Sequence, residues 1–156
     1  MKRLLFLLGF IISFAVANTA AAEITDRDVM VVSGAWAKAT PAGISTTALY
    51  MNVNNTGIKS DRLTGATTPY AETIEIHDAS AADALVTGVE LGSRAVLALR
   101  PGVMYLLVVG LSQQLKPGDK IPLTLQFEKA SAVTVSIPVL AAGAKPPPGL
   151  DEVNWQ

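Results

Sequence analysis

The chain contains no cysteine. Disulfides and thiolate metal sites are therefore excluded, and folding must rest on the hydrophobic core. No cysteine is available for lipid attachment either. Histidine is almost as scarce, with His77 alone in 156 residues. A single imidazole, no thiol, and scattered Ser, Asp and Glu leave no pair or triad for general acid–base or nucleophilic catalysis. Neither a Gly-rich phosphate loop nor a helical His pair of metalloprotease type occurs, so no enzyme chemistry is expected. Long apolar runs are missing except at the start, MKRLLFLLGFIISFAVANTAAA. There a basic Lys2 and Arg3, an apolar run from Leu4 to Ala17 and a small-residue end read as a secretory signal peptide, residues 1–22. That run is too short and too close to the cleavage site for a membrane span. With Ala20 and Ala22 at the small-residue positions, cleavage leaves Glu23 as the mature terminus.

What remains is 134 of the 156 residues, enough for one domain with its own core. Loss of Lys2 and Arg3 leaves ten basic residues against 13 acidic ones, a mature net charge of about −3. A nucleic-acid partner, which would call for a clustered basic face, is not expected. The strongest local pattern is PLTLQFEKASAVTVSIPV. Leu123, Leu125 and Phe127 alternate with polar residues, a turn follows at 129–131, and Val133, Val135, Ile137 and Val139 alternate again. That predicts a β-hairpin with one buried face. Turn signals at NNTG (54–57), RPG (100–102) and KPGD (116–119) separate further strands expected near 28–33, 46–53, 72–77, 86–91, 95–99 and 103–109. Many short strands with regular turns predict an all-β sandwich or barrel over residues 23–140. SAADAL (80–85) could make one helical turn. From Ala141 the Pro-rich segment AAGAKPPPGLDEVNWQ should leave the fold as a tail over 141–156, because proline cannot donate to a ladder.

His77 ends the alternating stretch TIEIH. Alternation places Thr73, Glu75 and His77 on one face and Ile74 and Ile76 on the core side, with Asp78 turned away from His77. A lone imidazole on a polar face is either a solvated side chain or a metal ligand whose partners come from elsewhere in the fold. Met30, Met51 and Met104 sit in apolar strand contexts and read as core.

Five stretches carry a resemblance: GAWAKATPAG (34–43), ALYMNVNNTG (48–57), DRLTGATTPYAETIEIHDA (61–79), LRPGVMYLLVVGL (99–111) and LKPGDKIPLTLQFEKASAVTVSIPV (115–139). In this order and spacing the chain resembles the PCu(A)C family of periplasmic copper chaperones. The resemblance implies a cupredoxin-like antiparallel β-sandwich or barrel. It further implies a copper site built from a histidine, a methionine about eleven residues later, and a His-x-Met on a strand after a Pro-Gly turn. His77 matches the first histidine. Between His77 and Met104 there is no methionine, and the segment DASAADALVTG is about five residues short of the family's length. Tyr105 stands where the second histidine would be and Leu107 where the second methionine would be. Three of four soft donors are thus missing, and a mature terminus at Glu23 closes the alternative of an N-terminal histidine clamp.

The expected function by resemblance is periplasmic copper handling, carrying copper to an acceptor metalloprotein or assisting that delivery, with copper bound weakly at His77. The other expectation is a paralogue that binds no metal and acts by protein contact, for example with a partner chaperone. On the family's metal face Val103, Tyr105, Leu107 and Val109 would then line either a partner-binding patch or a strand covered on both sides.

Overall fold

The computed structural model describes residues 30–147, and the expected signal peptide and most of the expected tail lie outside them. Ten strands account for most of the described chain: β1 (Met30–Lys38), β2 (Thr46–Asn55), β3 (Asp61–Thr67), β4 (Ala71–Asp78), β5 (Ala84–Val86), β6 (Val89–Leu91), β7 (Val96–Leu99), β8 (Met104–Leu111), β9 (Lys120–Phe127) and β10 (Val133–Leu140). No α-helix occurs among the described residues, in agreement with the all-β expectation. The hydrogen-bonded order is β5-β4-β8-β2-β1-β10-β9-β3-β6, with β7 also on β2. β7 and β8 share one edge of β2 end to end: Val96–Leu99 pairs with Met51–Asn54, and Leu106–Val109 with Thr46–Leu49.

The two ends of that order are joined by the chain itself. β5 pairs with β4, β6 pairs with β3, and only Thr87 and Gly88 separate β5 from β6. One bent strand, expected as a single element over 86–91, therefore passes from one sheet to the other and nearly closes the barrel. Gly88 makes the bend possible: its φ is 150°, and an added Cβ would meet Arg62 Nε at 2.7 Å and the Leu63 carbonyl at 2.9 Å.

The hairpin prediction holds in register, with Val133 opposite Leu125, Val135 opposite Leu123 and Ile137 opposite Ile121. Leu123, Leu125 and Ile137 are fully buried, whereas Phe127, Val133 and Val135 lie nearer the rim and are only partly covered. Met51 and Met30 are core residues as expected, and Met104 is half-buried against the core. Three further features differ from the sequence-based expectation. β1 runs to Lys38 because a register shift between Ser33 and Trp36, with Gly34 at φ 61°, lets the strand continue through GAWAK. β3 was not among the expected strands, since DRLTGAT offers little alternation and has its own register shift between Leu63 and Gly65. The sheet is also not purely antiparallel: β1 and β10 pair in parallel at Ala37–Val139 and Lys38–Leu140, which joins the two halves. β10 ends at Leu140, and residues 141–147 form no strand.

Candidate metal centre

β4 presents His77 on the face away from the core, as its alternation requires. Ile76 is buried at 3% exposure, while His77 lies across from Tyr105 of β8 and Leu85 of β5. The His77 and Tyr105 rings stack with centroids 5.5 Å apart and planes 20° from parallel. The row continues across the sheet: Tyr105 to Tyr50 of β2 at 6.3 Å, and Tyr50 to Trp36 of β1 at 4.7 Å. Cross-strand pairing of side chains on one face accounts for this row. Trp36 is 1% exposed, and its Nε1 is a buried polar atom without a hydrogen-bond partner.

Both ring nitrogens of His77 face acidic groups. Nε2 lies 3.0 Å from Glu75 Oε2, its neighbour on the same face of β4. Nδ1 lies 3.3 Å from the Asp83 carbonyl oxygen and 3.6 Å from Asp83 Oδ1. The Tyr105 hydroxyl donates to that same Asp83 Oδ1 at 2.7 Å. The hydrogen bond to Glu75 raises the His77 pKa, burial opposes it, and Asp83 adds to the rise. Tyr105 is pushed up to about 12 by its bond to Asp83, by burial, and by the nearby carboxylate charge.

Asp83 reaches this position through its backbone. After β4 the chain makes a single 3₁₀ turn, Ala79–Ala81, where one helical turn was expected within 80–85. Asp78 caps that turn, its carboxylate accepting from Ser80 N and the Ser80 hydroxyl, so it is turned away from His77 as expected. Ala82 and Asp83 follow at φ 56° and 59°. Two successive left-handed residues reverse the chain and carry Asp83 back over His77. For a non-glycine residue that conformation is costly, and aspartate tolerates it better than most. Sequence reasoning weighed Glu75 but missed Asp83, because no spacing rule leads from a loop aspartate to a strand histidine six residues earlier.

The other expected positions are distributed as follows. Leu107 is half-buried on the His77 face, opposite Glu75 and Ala48; Val109 is half-buried opposite Thr73 and Thr46. Tyr105, Leu107 and Val109 thus form one continuous outer stripe of β8. Val103 is not on the strand but in the preceding turn, 37% exposed, its carbonyl accepting the N–H groups of Ala79 and Ser80. Met104, opposite Asp78, packs on the core, so no thioether of the described residues stands beside His77. Among the described residues no group of three or more His, Cys, Asp or Glu side chains could hold a metal. The soft donor set implied by the resemblance is not assembled; nitrogen and oxygen donors stand there instead.

Comparison with known proteins gives this geometry a context. The profile of the LpqE-like family, described as "Putative lipoprotein LpqE-like", matches residues 30–139. "Putative lipoprotein Lxx21020" of Leifsonia xyli subsp. xyli (strain CTCB07) is 33% identical over 118 residues, 72% of this chain and 70% of that protein. The copper-bound PCuAC domain from PmoF2 superimposes with a TM-score of 0.65 at 27% identity, covering 72% of this chain and 92% of that one. Cu(I)-bound DR1885 from Deinococcus radiodurans, at 24% identity and a TM-score of 0.60 over 80% of this chain and 85% of that one, shares the fold. The chain belongs to the LpqE-like family and has the cupredoxin-like β-barrel of PCuAC domains.

Proposed function

We propose that the protein handles copper in the periplasm, carrying the metal to an acceptor metalloprotein or assisting its delivery, without catalysing a reaction. Export through a signal peptide cleaved after Ala22 would place it there, and the naming of its relatives as lipoproteins supports an envelope location. The observation that carries the reading is the placement of the sole histidine: His77 stands on the outer face of the fold that the copper-bound PmoF2 domain shares, with Glu75 fixing one ring nitrogen. Its hold on copper is weak, since affinity comes from several donors kept together on a rigid scaffold, and only one imidazole is present. Weak retention suits a carrier that must release its cargo. The outer stripe of Tyr105, Leu107 and Val109, with Val103 at its end, is the surface on which a partner would dock beside the metal.

Titrating the mature protein with copper in each oxidation state at equilibrium, by dialysis against buffered free metal and metal analysis, tests the reading. Binding of one equivalent that disappears in His77→Ala is expected. Absence of copper binding in both states would overturn it in favour of a module that acts by contact alone.

A further inference from the structure

We infer that residues 148–156 of this chain strap back over the outer face of the barrel at Trp36, with Asp151 and Glu152 against Lys38 and Lys120. The strap needs no metal and is independent of the copper reading.

Trp36 calls for a cover. Its neighbour Ala37, opposite the fully buried Leu49, faces the core, so Trp36, opposite Tyr50 and 4.7 Å from that ring, stands on the outer face. An indole there would show one side to water, yet Trp36 is 1% exposed. Of the buried apolar side chains among the described residues, it alone lies outside the core cluster. Its ring meets Tyr50 on the same face and the Lys38 ammonium, 6.0 Å from its centroid. Its Nε1 is buried without a hydrogen-bond partner, although a buried indole N–H usually finds an acceptor. A segment laid over the ring excludes water and brings backbone carbonyls within reach of that N–H.

The fold delivers the C-terminal segment to this place. β10 ends at Leu140 opposite Lys38, two residues from Trp36, and the Ala39 N–H donates to the Leu140 carbonyl at 2.8 Å. The chain then turns, the Ala144 N–H donating to the Ala141 carbonyl at 2.9 Å, and Pro146 and Pro147 are half-buried although they belong to no strand. Consecutive prolines favour the polyproline II rod, which packs on aromatic rings at a low cost in entropy. Nine residues follow, enough to span about 30 Å when extended. Neighbouring strands lie about 5 Å apart, so the ring row from Trp36 to Tyr105 is within that reach. The segment before β1 enters instead at Met30, six residues and about 20 Å along the strand from Trp36.

Charge matches as well. Asp151 and Glu152 are the only charged side chains in 148–156, and Leu150, Val153 and Trp155 are its apolar ones. On the face, Lys38 lies opposite Leu140 and Lys120 opposite Pro138; both lysines are exposed, and neither forms an ion pair with another described residue. Between them Pro138 and Leu140, half-buried and alternating with the buried Ile137 and Val139, offer an apolar floor. A strap here also covers Tyr50 beside the stripe of Tyr105 and Leu107, so a partner docking on that stripe across β2 has to displace it.

The test is nuclear magnetic resonance on the mature full chain carrying Trp155→Phe, which leaves Trp36 as the sole tryptophan. Expected are nuclear Overhauser contacts between the Trp36 indole and Leu150 or Val153, and slow hydrogen exchange at Nε1. Reversing the strap's charge with Asp151→Lys and Glu152→Lys, or ending the chain at Pro147, should speed that exchange about tenfold or more. Adding Lys38→Glu and Lys120→Glu to the reversed strap should restore protection. Absence of contacts between the indole and 148–156 in the full chain would overturn the strap, and so would equally slow exchange in the shortened chain. If the shortened chain does not fold, the contacts in the full chain decide. Contacts that vanish on dilution, with a dimer seen by light scattering, would assign the cover to a second copy and overturn a strap within one chain.

Discussion

Asp61 illustrates what one buried carboxylate does for this barrel. At 2% exposure it accepts from the N–H groups of Arg62 (2.7 Å), Lys129 (3.0 Å) and Ala130 (2.8 Å), tying the β9–β10 turn to the start of β3. Burial alone would raise its pKa, but the backbone donors and the Lys129 ammonium outweigh burial and hold it below the usual value. Because the folded pKa is depressed, the stabilisation is present above the unfolded value near 3.9 and is lost as pH falls through the folded one. Asp61→Asn should cost about 1–3 kcal/mol at neutral pH, and denaturant melts should show that gap closing in acid. His77 has the opposite sign. Its raised pKa means that the contribution of the Glu75 and Asp83 contacts is complete below about 6.5 and lost as pH rises through the folded value. The stability difference between wild type and Glu75→Gln should therefore shrink as pH rises above about 6.5. The facing of His77, Glu75 and Ile76 could be read from a period of two; the arrival of Asp83 could not, since it depends on two backbone angles in a loop.

Among the elements, the β9–β10 hairpin is the most legible, because strict alternation and a short polar turn fix both its register and its buried face. Truncating Leu125, fully buried there, to alanine should cost about 2–5 kcal/mol in a denaturant melt. The segment 84–91 is less legible. The strand expected over 86–91 is split at Gly88 between two sheets, its first part joining Ala84 and Leu85 in β5, and a sheet switch leaves no period to count. Gly88→Ala combines a backbone angle that alanine resists with a clash against Arg62 and the Leu63 carbonyl. About 1–3 kcal/mol of destabilisation is expected, with faster amide exchange concentrated in β5 and β6. Exchange spread evenly over the barrel would mean that 84–91 is not the element that closes it. β3 escaped notice for a related reason: its inward positions are Asp61, Leu63 and Ala66, one of them charged and one small, so polarity hides the strand.

At the scale of the whole molecule, a sheet of ten strands wraps one core, and its outer face over β4 and β8 carries a row of rings that ends at His77. The fold was legible as a class and as a family resemblance, whereas the site was legible only as far as its histidine. Asp83, which stands beside His77 and Tyr105, comes from the loop after β4, whose path is set by packing and not by a motif. The central claim is that copper meets this protein at His77, and the single histidine makes it directly measurable. Its imidazole carbon-bound protons give the only such signals in a proton NMR spectrum of the mature chain. Sub-stoichiometric Cu(II), a paramagnetic ion, should broaden those two signals before any others, with the Tyr105 ring following. Histidine signals that stay sharp while resonances elsewhere in the chain broaden would contradict the account.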